Sequence, residues 1–331
     1  MPAELTDRYR NALLDERNQQ ERGGMLPEGG VVKVLARVVL FATVAIAAAA
    51  GGGDNASAQG WGPAVAVKDI DPAIRAAAEV MGMVRTRALV IGQVNLPEFT
   101  GKGTMVDLEA ATPGQPVEIS RLSYAIAIHI PASRLDFEGP QTPRTIRVVK
   151  SNRAWNEAWS DDKTKLSTTP SDKAAYRAQL IWLEPHAFIH AAAFASAKKC
   201  LDGKACTTPI QVAKENGKTV IDVQVNSQSY KATLGADNRP ERIETMVTLP
   251  GGVSKKITAM YSDYKTGGTP DAGFGTSFGQ DALDKYHSGT YWPSRVIHEV
   301  EGNKVLDITL TEGWANPYVV FPEPEQLAKG Q

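Results

Sequence analysis

Gly275-Thr276-Ser277-Phe278-Gly279 has the spacing of the Gly-x-Ser-x-Gly elbow, which holds a nucleophilic serine on a strained strand-to-helix turn. Asp284 and His287 follow and complete the residue types of a triad. The elbow needs an apolar strand before it, and Gly-Thr-Pro-Asp-Ala-Gly-Phe at 268–274 is not one. His186 and His190 stand one helical turn apart, as metal ligands do. The residues between them lack the glutamate of a metalloprotease helix, and the spacing of His129, His287 and His298 singles out no third ligand. Neither pattern amounts to a catalytic device, so no catalytic residue, metal or cofactor is expected. Cys200 and Cys206 enclose Leu-Asp-Gly-Lys-Ala, whose Asp-Gly turn suits a disulfide closing a small loop in an oxidising compartment. Trp155, Trp159, Trp182, Phe188, Phe194 and Trp292 are the candidate lining of a hydrophobic pocket, against the plainer reading that they fill a core. Asp263 and Asp307 sit among alternating residues and are expected to face solvent.

The elements that would position these residues are mostly strands. Between Lys218 and Glu312 six alternating segments end at turn signals such as Asn226-Ser227, Pro250-Gly251-Gly252 and Glu301-Gly302-Asn303, the pattern of an antiparallel meander. Upstream, Asp71 and Pro72 open a helix that stops at Gly82, and Met83–Asn95 reads as a strand. Pro97–Pro116 is rich in turn residues. Val117–Ile130 reads as a long strand curved by a bulge, and Arg144–Trp159 as strand, turn at Asn152-Arg153, strand. A helical region from Thr168 to Lys199 splits at Pro185, giving helices over Asp172–Leu183 and Pro185–Lys198. The second is apolar all round and must be buried. The expected fold is mainly β with helices: an unclosed, curved antiparallel β-barrel wrapped around two or three helices. The loop Thr266–Thr290, with six glycines, is a candidate lid.

Lys33 and Arg37 precede an apolar run, Val38–Ala50, of signal-peptide length, and Ala56-Ser57-Ala58 suits cleavage after Ala58. Met25 is a candidate true start. The organisation expected is a leader and signal over 1–58, a lead-in over 59–68, one β domain over 69–315 and a tail over 316–331. The product is expected to be periplasmic or secreted, the alternative being an inner-membrane anchor formed by an uncleaved signal. A net charge of −1 gives no footprint for nucleic acid.

The run PERIET, KKITAMYSDY and WPSRVIHEVEGNKVLDITLTE resembles the closing strands of the lipoprotein-localisation carriers LolA and LolB. Ala76–Gly82 (AAAEVMG), Ala154-Trp155-Asn156, Leu183-Glu184-Pro185-His186 and Tyr261–Lys265 resemble more closely the amino-terminal domain of exported metallo-β-lactamase-fold hydrolases. The resemblance spans roughly Asp69 to Pro322 and implies a LolA-like fold with helices in the concavity of a curved sheet. No His-x-His-x-Asp-His occurs, so zinc hydrolase activity is not carried over. It implies a non-enzymatic protein holding a hydrophobic small molecule, lipid or acyl chain. The alternative is an accessory subunit acting with a separately encoded hydrolase or envelope protein.

Overall fold

A computed structural model describes residues 63–85, 89–91, 94, 96–110, 112–159, 166–266, 290–315 and 321. The leader and cleavage site, Met25, the Gly-x-Ser-x-Gly segment with Asp284 and His287, nearly all of the 266–290 loop, and the tail other than Phe321 lie outside the described residues.

Two antiparallel meanders make the molecule. The first runs β4 (Pro97–Met105), β5 (Val117–Ala127), β6 (Ala132–Gly139), β7 (Thr142–Lys150), β8 (Arg153–Trp159) and β9 (Leu166–Ser171). The second runs β10 (Ile210–Glu215), β11 (Lys218–Val225), β12 (Gln228–Leu234), β13 (Pro240–Thr248), β14 (Ser254–Thr266), β15 (Tyr291–Val300) and β16 (Asn303–Ala315). Strand β16 pairs with β4, joining them into one curved 13-stranded sheet whose free edges are β9 and β10. The sheet does not close. The chain between those edges forms α2 (Ala174–Ile181) and α3 (Pro185–Ser196), which lie against strands of both meanders. A small separate sheet is formed by β1 (Val65–Ala66), β2 (Val84–Arg85) and β3 (Val90–Ile91), and α1 (Pro72–Val80) packs on α3.

Local chemistry explains the regular parts. The two-residue turn Asn226-Ser227 places both residues at positive φ, as does Glu301-Gly302, the geometry whose twist matches a hairpin. Asp71 accepts the Ala73 N–H to cap α1, and Glu184 accepts the Ala187 N–H to cap α3, each just before a proline. Helix α3 is buried along all but its last residue, as its unbroken apolar sequence demands.

Four sequence readings are corrected. Pro97–Met105 is a central strand, not turn-rich loop: a Cβ on Gly101 would lie 2.7 Å from Thr309 O, and one on Gly103 would overlap Asp307 O, so these glycines serve close approach of β16. Met83–Asn95 is two short strands paired back on each other. Leu166–Ser171 is an edge strand, where Pro170 is tolerated, and helix α2 begins only at Ala174. The β7–β8 turn is Ser151-Asn152, one residue earlier than the sequence suggested. The bulge in β5 is present at Ser120-Arg121, and it lets both Ile119 and Leu122 face inward.

Cys200 and Cys206 form a disulfide beside a short bridge between Lys199 and Ala205, which fits an oxidising compartment. Reducing it, or replacing both cysteines by serine, is expected to cost about 2 kcal/mol in urea denaturation, because so short a loop restricts the unfolded chain only modestly. Among the described residues no helix is long and apolar enough to cross a membrane.

A candidate ligand cavity

Between the concave sheet and the α2–α3 junction lies a cavity of about 140 Å³. Its walls are largely apolar: Phe99 on β4, Leu122 on β5, Trp292 on β15, and Leu306 and Leu310 on β16. Period-two alternation turns these side chains inward. Trp292 lies flat on β16 because Gly313 opposite it has no side chain; a Cβ there would collide with the indole. The indole also meets the His186 ring, with centroids 4.4 Å apart.

Phenols hold the helices over the sheet. The Tyr261 hydroxyl donates to Leu183 O, and Tyr230 donates to Gln179 O at 3.1 Å. Gln179 Oε1 in turn accepts the Thr248 N–H at 2.9 Å. Burial pushes the Tyr124, Tyr230 and Tyr261 hydroxyls above their ordinary range, so all three stay neutral and Tyr230 and Tyr261 keep the protons they donate. His298, on the cavity wall, is pushed down by burial to about 4 and is neutral at physiological pH. It keeps some accessible surface because it faces the hollow.

The polar end of the cavity is a charged network. Arg177 on α2, only 5 % exposed, pairs with both Glu109 oxygens at 2.8 and 2.7 Å. It also donates to Val148 O, Trp155 O and Asn156 Oδ1. Arg147 on β7 donates to Asp107 Oδ2 at 2.7 Å and lies over the Phe137 ring. Asp107 is held below the usual carboxylate range: burial raises it, and Arg147 together with the backbone N–H groups of Glu109 and Ala110 more than offsets that.

Of the aromatics singled out by sequence whose side chains are described, Trp292 alone lines this cavity. Trp182, Phe188 and Phe194 are core, each under 3 % exposed. Trp155 is on the opposite face: its neighbour Ala154 points into the concavity, so Trp155 points out. There it packs on Ile146 and Val148 under Phe321, donates Nε1–H to Glu157, and is fully buried. Phe321 is thus docked rather than trailing, and Lys150 Nζ donates to its carbonyl. Trp159 ends β8, and its side chain lies outside the described residues.

His186 and His190 do not converge. His186 Nδ1 is 2.7 Å from Glu184 Oε1, whereas His190 stacks on Phe194 at 4.5 Å and has no hydrogen-bond partner among the described residues. Among the described residues no group of three or more potential ligands could hold a metal. Asp307 bonds Arg295 and Lys304, and Asp263 is exposed on β14; neither lines the cavity.

Sequence reasoning missed Arg147, Glu109 and Arg177. One signal was available for Arg177: it shares a helical stripe with Ala174 and Ile181, where an unpaired charge would be costly. The chain matches no protein-family model and no curated protein.

Proposed function

We propose that this is an exported, non-enzymatic binding protein that holds a hydrophobic small molecule, or one end of an acyl chain, between the curved sheet and α2–α3. The observation that carries the reading is the apolar cavity itself, walled by Phe99, Leu122, Trp292 and Leu306 under a helix pair clamped by tyrosines. The disulfide supports export, to the periplasm or beyond, through the signal segment read from the sequence. An unclosed sheet around helices also agrees with the resemblance to lipoprotein carriers.

The volume bounds the ligand. An engineered cavity of about 150 Å³ takes up benzene, so a site of about 140 Å³ suits a ring or a short chain segment. Burying about six methylenes would contribute about 5 kcal/mol gross. Much of that offsets lost ligand freedom, so a tight complex needs further contacts.

Native mass spectrometry of the exported protein, followed by organic extraction, tests the proposal. The expected result is a co-purifying apolar mass that is lost in Leu306→Trp, where the indole fills the hollow from a half-buried wall position. A clean mass that takes up no added apolar probe would defeat it. A pull-down for a separately encoded hydrolase or envelope protein would follow.

A further inference from the structure

The cavity's polar end is bordered by a strap, residues 106–109, that follows β4. One end is fixed on β16 by the Val106 N–H donating to Val305 O at 2.7 Å. The other is fixed on α2 by the paired contacts of Glu109 with Arg177. Val106, Leu108 and Glu109 line the cavity, and the carboxylates of Asp107 and Glu109 reach arginines.

Four charged side chains line the hollow: Glu109, Arg147, Arg177 and Glu184. Glu109 and Arg177 are committed to each other, and Arg177 to two carbonyls and Asn156 besides. Glu184 caps α3 and holds His186. Arg147 stands apart. Its side chain is 14 % exposed, and its hydrogen-bonded partner Asp107 is 41 % exposed and does not line the cavity. Its Nε is 3.5 Å from Glu109 Oε2, an ion-pair contact longer than a good hydrogen bond. Asp107 is half-exposed and accepts the Glu109 N–H at 2.9 Å with its other oxygen, so its Oδ2 can leave Arg147 for water without stranding the carboxylate. A guanidinium facing an apolar hollow favours a planar, two-oxygen acceptor.

We propose that Arg147 is the head-group receptor of the cavity and that its ligand is a small carboxylate-bearing amphiphile. The apolar tail lies among Phe99, Leu122 and Leu306, and the carboxylate takes the place at Arg147 now held by Asp107. The strap is an internal mimic of such a ligand, presenting Leu108 to the hollow and Asp107 to the arginine. The proposal rests on the ligand-holding reading above and adds selectivity for charge.

Calorimetric titration at neutral pH with octanoate, octanol and octylamine tests it. Octanoate is expected to bind about tenfold more tightly than octanol, and octylamine more weakly than either. Arg147→Gln should abolish the advantage of octanoate and leave octanol binding in place. Asp107→Asn, at a half-exposed position, should strengthen octanoate binding a few-fold and leave octanol unchanged. Circular dichroism checks that Arg147→Gln folds; if it does not, the Asp107→Asn comparison decides alone. Equal binding of octanoate and octanol, or an advantage that survives Arg147→Gln, overturns the head-group assignment and leaves the ligand-holding reading standing. If none of the three binds, that reading fails and takes this one with it.

Discussion

Replacing Arg177 with alanine is expected to destabilise the protein by on the order of 4 kcal/mol. The guanidinium is buried, and every direction it points in is occupied: Glu109 on the strap, the carbonyls of Val148 and Trp155, and Asn156 Oδ1. Val148 and Trp155 are partners across the β7–β8 pair, so one side chain ties α2 to two strands and to the strap. Its removal leaves a Glu109 side chain that is 9 % exposed, with only the 3.5 Å contact to Arg147 as compensation. It also takes a donor from two carbonyls. Most of the cost lies in these stranded partners rather than in the lost attraction. Pairing Arg177→Met with Glu109→Gln should therefore recover part of the loss, since no unpaired buried charge remains. Urea denaturation of the two variants checks this. A single-variant loss below about 1 kcal/mol would show that the network contributes no more than a surface ion pair.

The same network shows where the sequence stops being legible. The second meander reads directly because its strands alternate cleanly and its turns carry Asn, Ser, Gly and Glu at positive φ. The disulfide reads from its spacing. Strand β4 does not, because proline and glycine there look like turn residues. Their role, letting β16 come close, depends on a partner two hundred residues away. Strand β6 is equally quiet. Its outward Asp136 bonds Arg121 and Arg144, giving a polar composition that resembles a loop.

For the site the difficulty is which face a residue takes. Trp155 has the composition of a pocket residue, but a single position in register puts it on the outer face beneath Phe321. Arg147 has the composition of a solvent-facing strand residue, yet it shares the inner face with Val149. A polar-out rule misplaces it. Violations of a local rule concentrate where a fold does something besides pack, and here Arg147, which breaks the strand's alternation, and Arg177, which breaks the helix's apolar face, both contact Glu109 at one end of the cavity.

His190 should make the protein acid-sensitive well above the range in which carboxylates titrate. It is fully buried in α3, stacked on Phe194, with neither ring nitrogen bonded among the described residues. Burial, reinforced by nearby His129, holds its pKa at about 3, against 6.5 for the free side chain. The unfolded chain therefore binds this proton and the native state does not. The stability due to neutral His190 is fully present above about pH 6.5 and drains away as pH falls toward 3. Each such histidine contributes a slope of about 1.4 kcal/mol per pH unit, which amounts to about 3 kcal/mol lost by about pH 4.5. His298 and His129, also pushed down by burial, add to the slope in the upper part of the same window. Asp107, Asp136 and Asp307, all held below the ordinary carboxylate value of 3.8, keep their stabilising charge down to about that pH and lose it only as the pH falls further, below the range in which the test is made. His190→Leu, close in volume and without a proton to bind, should thus remove one histidine's share of the slope between about pH 6 and 4.5 and become the more stable protein at the acid end. Stability measured by urea denaturation across that range, with and without the substitution, decides the matter. Parallel curves would mean that His190 finds a partner or water on protonation, and that α3 is less tightly sealed than its packing implies.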